Sequence, residues 1–270
     1  MDERPIGVFD SGLGGLTVVK ELLTELPNES IVYFGDTARL PYGTRSREIV
    51  TKYSAQCVRF LLSKGIKMVV IACNTVSSNS LEALKAQFDI PILGVIRPGA
   101  RAAAAATRNG RIGVIGTLGT IRSKAYPNAI REINPDLLVL DEACSLFVSI
   151  VEEGWSNTEM ARLTAERYLE GLKRQKVDTM VLGCTHYPLL EPVISSVMGP
   201  GVTLINPALG AACEARERLK EKDMLRGSGP EPALSFYVSD IGQGFQQIGS
   251  HFLNRKIAAK CINTVSCSVT

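Results

Sequence analysis

Apolar residues fall along this chain in two rhythms. Short, near-continuous runs stand at Ile6–Phe9, Ile31–Phe34, Met68–Ile71, Ile92–Val95, Ile112–Ile115, Leu137–Leu140, Thr179–Leu182 and Val202–Ile205. Runs of this kind, bounded by turn residues, predict strands buried on both faces. Between them, Leu16–Glu25, Arg47–Lys64, Ser80–Phe88, Pro98–Thr107, Thr158–Lys173 and Ala208–Lys220 carry apolar residues at helical spacing. Strands alternating with helices predict βαβ units and a mainly parallel sheet. Lys222–Pro232 (KDMLRGSGPEP) is polar and rich in Gly and Pro, and predicts a loop. The closing CINTVSCSVT carries neither rhythm and is expected to be a loosely held tail.

One pattern occurs twice. IGVFDSGLGG at Ile6–Gly15 is echoed by IGVIGTLGT at Ile112–Thr120: strand, small-residue turn, helix start. Each copy is followed by a strand that ends in a cysteine, VVIACNT in the first case and TMVLGCTH in the second. Paired features in the same order point to two similar α/β halves. Ligands of such sheets sit beyond the carboxyl ends of the strands, where Cys73 and Cys184 both fall. Two halves facing each other would bring these thiols to one cleft from opposite sides, an arrangement suited to a reaction with two faces.

Composition narrows the classes. The 270 residues are enough for one large domain or two small ones. Hydrophobic residues at 45% and charged residues at 21% are ordinary for a globular protein and argue against disorder. A net charge of +3, with both signs interspersed, leaves no basic face for nucleic acid. No apolar run approaches membrane length, and MDERP leads straight into IGVF without a signal peptide, so a cytoplasmic protein is expected. The seven cysteines form no CxxC pair and are expected to be free thiols, most of them small buried hydrophobes.

Cys73 and Cys184 stand apart because polar donors follow each at once: Asn74–Thr75 and Thr185–His186. A helix beginning there would lower a thiol pKa and receive a carboxylate. His186 allows three readings: a hydrogen-bonded interior histidine, a metal ligand, or an acid–base partner of Cys184. With no further His or Cys nearby in sequence to complete a tetrahedral set, acid–base work is the economical one, and no metal is expected. Asp10 and Ser11 end the first strand, where they could cap the helix near Leu16 or take part in chemistry. The adjoining glycines do not complete GxGxxG, because Thr17 occupies the third position, so a dinucleotide site has little support. YFGDTARLPYG is, by composition, a loop, and spacing does not separate Glu152 from Glu153.

The ordered set VFDSGLGGLTV, YFGDTARLPYG, ACNT, LFVSIVEEG and LGCTHYPLL resembles the glutamate racemases of the cofactor-independent aspartate/glutamate racemase superfamily, over nearly the whole chain through FYVSD. The resemblance implies two Rossmann-like α/β domains, here 1–97 plus 208–270 and 98–207, with the active site in the cleft between them. It implies interconversion of L- and D-glutamate for peptidoglycan synthesis, without a cofactor, by a homodimer. Carried over by motif, Cys73 and Cys184 are the acid–base thiols, Asp10 assists Cys73, and Glu152 and His186 assist Cys184. Substrate contacts would come from Asp10, Ser11, Pro41, Tyr42, Gly43, Asn74, Thr75, Thr117, Thr120, Thr185 and His186. Absence of the N-terminal extension some relatives use for activation by a cell-wall precursor leads us to expect no such control.

Departures from the family pattern are Ser145 and Ser149 where prolines are common, Asn206 in place of an acidic residue, and Arg97. Three other readings remain at this stage: a racemase of the same superfamily acting on aspartate or another acid, a cysteine hydrolase using Cys184 and His186, and a binding protein with decayed catalysis.

Overall fold

The computed structural model describes residues 1–227, 229–241, 249–250, 252–253 and 258–262. Its strands are β1 (Ile6–Asp10), β2 (Ile31–Gly35), β3 (Met68–Ile71), β4 (Ile92–Gly94), β5 (Arg111–Gly116), β6 (Leu138–Ala143), β7 (Thr179–Gly183), β8 (Thr203–Ile205), β9 (Leu234–Val238) and β10 (Ala259–Cys261). The eight apolar runs of the sequence therefore supply β1 to β8, with ends shifted by up to three residues. The helices are α1 (Leu16–Glu25), α2 (Arg47–Leu62), α3 (Asn74–Asn79), α4 (Leu81–Gln87), α5 (Ile96–Ala106), α6 (Leu118–Arg122), α7 (Ala125–Ile133), α8 (Leu146–Glu152), α9 (Glu159–Arg174), α10 (Glu191–Met198) and α11 (Pro207–Glu221).

The strands form two sheets. One has six strands in the order β10-β9-β2-β1-β3-β4, the other four in the order β6-β5-β7-β8. All described pairings are parallel. The block β2-β1-β3-β4 has the same order as β6-β5-β7-β8, so the two IGV strands are equivalent, as are the two that lead into cysteines. In each block the chain moves to one side of its first strand, then returns to the other side. A crevice opens at the carboxyl ends where these directions part, between β1 and β3 in one sheet and between β5 and β7 in the other.

Register brings the site residues level. Phe9 pairs with Ile71 in the first sheet, and Gly116 with Gly183 in the second, so Asp10 and Cys73, like Thr117 and Cys184, emerge beyond adjacent strand ends. Phe9, Phe34, Phe60 and Ile71 are buried on the α2 side of the first sheet. Truncating a buried side chain of this size to alanine costs about 2–5 kcal/mol. The opposite face joins the second sheet in one continuous core through α11, whose Ala208, Ala211, Ala212 and Ala215 are buried. Small residues allow close approach: a Cβ on Gly210 would lie 3.1 Å from Pro98 of α5.

Two strands have no counterpart in the sequence reading. β9 extends the first sheet beyond β2, and β10 pairs with β9. β9 is thereby paired on both sides and β10 becomes the edge of the sheet; pairing, more than their own pattern, makes them strands. Cys261, the first residue of CINTVSCSVT, belongs to β10, which corrects the expectation of a tail there; residues 263–270 lie outside the described residues. The short helices α7, α8 and α10 also went unpredicted, and α3 and α6 were expected only as helix starts, because so few turns give too little helical period to recognise. Among the described residues, no helix is long and apolar enough to cross a membrane.

Candidate active site

Asp10 ends β1 fully buried. Its Oδ2 accepts the backbone N–H groups of Gly12 (3.2 Å) and Gly15 (3.0 Å), while Oδ1 has no partner. The carboxylate thus organises the turn into α1 without being its N-cap, a position held by Gly15. Burial raises the Asp10 pKa, and the charge of His186 and the backbone donors pull it back. Tyr33 braces the same turn from below, its hydroxyl donating to the Gly12 carbonyl at 2.7 Å.

Cys73 is the N-cap of α3, so Asn74 and Thr75 do open a helix, as their polarity implied. Its thiol donates to Ser11 Oγ at 3.6 Å. Burial first, then the neighbouring Asp10 charge, pushes this thiol up to about 12, against the backbone donor at Val76 and the Ser11 hydroxyl. At neutral pH Cys73 therefore holds its proton.

Cys184 differs in local structure. It follows β7 directly, but the turn after it is a short 3₁₀ helix, Tyr187–Leu190, so no α-helix begins at this thiol. The turn folds His186 back until its Nδ1 lies 3.7 Å from Cys184 Sγ, and Nε2 lies 3.1 Å from Glu152 Oε1. Burial alone would lower the pKa of His186, but its bonds to Cys184 and Glu152 outweigh that and raise it to about 10. His186 is then an imidazolium at neutral pH, donating from both nitrogens. The structure separates the two glutamates that spacing could not: Glu152 faces His186, and Glu153 caps the end of α8.

The halves meet through residues next to each thiol. Thr75 Oγ1 lies 2.9 Å from Thr117 Oγ1 and 3.5 Å from Thr120 Oγ1. Thr117 is also the N-cap of α6. Asn79 Nδ2 reaches the Gly119 carbonyl at 3.3 Å. On the other side Thr17 Oγ1 donates to the Thr185 carbonyl at 3.4 Å. Gly14 lies so close that an added Cβ would be 2.8 Å from His186 Nδ1. The charge of Cys184 is among the causes that raise the pKa of Cys73, so the two thiols lie in one site.

The PYG segment enters mainly through its backbone. Tyr42 is buried, and its hydroxyl donates to Asp36 Oδ2, away from any ligand role. Gly43 lies against Thr117, where a Cβ would come within 2.7 Å, whereas Pro41 is exposed. Asn206 caps α11, its Oδ1 accepting from Ala208 N at 3.1 Å, which accounts for a short polar side chain there. With Cys184, Thr185 and Asn74 it lines a cavity of about 10 Å³, close to what a single water needs. Arg97 pairs with Glu132 on the surface. No contact in the structure accounts for serine at 145 or 149. Among the described residues no group of three His, Cys, Asp or Glu side chains is placed to hold a metal ion.

Two buried thiols thus stand beyond equivalent strands, and comparison with known proteins gives the family of the chain that carries them. The model of the Asp/Glu/Hydantoin racemase family matches residues 6–215. The chain belongs to this family. Its members' activity makes the chain an isomerase, an amino-acid racemase. Glutamate racemase of Geobacter metallireducens is 52% identical over 257 residues, 95% of each chain. A crystal structure of glutamate racemase from Francisella tularensis in complex with D-glutamate superposes with a TM-score of 0.92 at 39% identity, covering 98% of this chain and 100% of that one. Glutamate racemase isoform RacE1 of Bacillus anthracis gives 0.93 at 40% identity, over 97% of this chain and 98% of that one. This family's two-domain α/β fold is the one described above.

No pattern in the chain marked Tyr126, Tyr33, Thr17 or Gly14 as site residues. They act through contacts made by elements distant in sequence, and their residue types are common in any core.

Proposed function

We propose that this protein interconverts L- and D-glutamate by a two-base proton transfer between Cys73 and Cys184. The observation that carries this reading is the pair of thiols at equivalent strand ends, each with its own acid–base neighbours. Asp10 serves Cys73, and His186 with Glu152 serves Cys184. Glutamate as substrate is supported by similarity to glutamate racemases across nearly the full chain, including one in complex with D-glutamate.

In one direction a thiolate at Cys184 takes the α-proton, breaking the Cα–H bond and forming S–H, while the electron pair stays on the substrate as a carbanion. The Cys73 thiol then gives its proton to the opposite face and is left as thiolate. The reverse direction exchanges the roles. Thiols can serve as both acid and base because modest shifts select either protonation state. The imidazolium of His186 stabilises negative charge on its side of the cleft, and the unpartnered Asp10 Oδ1 is suited to accept the substrate's ammonium group. Backbone N–H groups after each cysteine, with Ser11, Asn74, Thr75 and Thr185, receive the carboxylates and stabilise the carbanion. Loss of one such donor typically costs about 3 kcal/mol of barrier. Gly43 and Tyr42 close the site through the backbone, with Thr117 and Thr120 behind them and Pro41 at the rim.

The reading extends to two domains, 1–97 plus 208–270 and 98–207, to a homodimer in the cytoplasm, and to supply of D-glutamate for peptidoglycan. D-Glutamate incubated with the protein in deuterated water tests the core of it. Circular dichroism should fall to zero while the α-carbon gains deuterium, and Cys73→Ala and Cys184→Ala should each abolish racemisation. Normal racemisation by either variant would sink the two-base scheme, and faster turnover of D-aspartate would reassign the substrate.

A further inference from the structure

Tyr126, in the first turn of α7, touches the segments around both thiols. It is 1% exposed, and its ring is wedged between two glycines: an added Cβ would lie 3.1 Å from the ring at Gly99 and 3.2 Å at Gly183. Gly183 immediately precedes Cys184. The hydroxyl donates across the halves to Asn74 Oδ1 at 2.7 Å, on the residue immediately after Cys73. Burial, followed by the charge of Cys184, pushes the phenol above its ordinary range, so it remains a donor.

An asparagine amide has one acceptor end and one donor end. A phenol donor engaging Oδ1 leaves the NH2 on the opposite side, where it donates to no described residue. Rotated by half a turn, the same amide would present its oxygen there and repel a carboxylate. The buried hydroxyl would then have to accept from the NH2, and its own proton would lose Asn74 Oδ1, its acceptor among the described residues.

We infer that Tyr126 is a positioning residue whose hydroxyl holds the Asn74 amide with its NH2 toward the cleft, ready for a carboxylate of the amino-acid substrate. This rests on the racemase reading above. Asn74 touches the substrate, and Tyr126 acts through it.

Tyr126→Phe keeps the ring and removes the hydroxyl. The bond removed joins two neutral groups, but with it goes the orientation of a donor to the substrate carboxylate, so KM for D-glutamate should rise about tenfold, with kcat changed less than about threefold. Asn74→Ala should raise KM at least as much, and adding Tyr126→Phe to it should raise KM no further. Asn74→Asp keeps an acceptor for Tyr126 but lacks the NH2, and should bind as poorly as Asn74→Ala. An unchanged KM in Tyr126→Phe, or additive effects in the double variant, overturns the inference alone. A wild-type protein inert toward D-glutamate overturns the functional reading and this inference with it.

Discussion

Glu152 Oε1 meets His186 Nε2 at 3.1 Å, and through the other ring nitrogen reaches Cys184, 3.7 Å from Nδ1. A carboxylate from α8 thereby acts on a thiol beyond β7. Glu152→Gln keeps the shape and removes the charge. The His186 pKa should move down from about 10, and the alkaline limb of the pH–rate profile should move down with it. A tenfold loss of kcat/KM is the order expected for weakened acid–base catalysis. An NMR titration of His186 beside the rate profile checks both; an unmoved histidine would detach Glu152 from the relay.

Asp10 raises the pKa of Cys73 by its charge, second only to burial. Asp10→Asn should therefore make the Cys73 thiolate easier to form while slowing racemisation. Alkylation of Cys73 by iodoacetamide near pH 8 should become faster, not slower. Mass mapping of the labelled cysteine against pH reads this directly, and slower labelling would contradict the charge argument.

Stability should fall on the alkaline side. His186 has a folded pKa near 10 against an ordinary 6.5, so its contribution is complete below 6.5 and is lost as pH rises toward 10. Cys73 continues the trend: a raised thiol favours the protonated folded state, and stability declines between about 9 and 12 as the unfolded chain ionises first. Thermal unfolding from pH 6 to 10.5 should show a steadily falling midpoint. His186→Gln should flatten the portion below pH 9, and an unaltered slope would remove His186 from the account.

Gly14 leaves no room for a side chain beside His186. Gly14→Ala should retain the fold, judged by circular dichroism, yet lose more than about a hundredfold in kcat, because small displacements of catalytic groups cost that much. Retained activity would show that the Gly14 turn yields without disturbing His186.

Much of this architecture was legible in the residues themselves. Eight strands could be placed because a short apolar run leaves a local mark, although the edge strands β6 and β8 are only partly buried and not covered on both faces as expected. The duplication could be seen because two IGV turns and two strand-ending cysteines recur in order. Cys73, Cys184 and their polar followers were marked by the same local logic. β9 and β10 were not, since each becomes a strand through hydrogen bonds to a neighbour distant in sequence.

What only the folded chain decided was which groups stand together. Glu152 was separated from Glu153 by facing His186, and Asp10 became a buried anchor of the β1–α1 turn. The absence of an α-helix at Cys184 left His186, rather than a helix terminus, as the source of positive charge there. Tyr126 emerged from the core as a bridge to Asn74. Strand and helix patterns arise from burial repeated every few residues, which the sequence records. Hydrogen bonds between residues dozens of positions apart depend on three-dimensional register, and no local pattern encodes that.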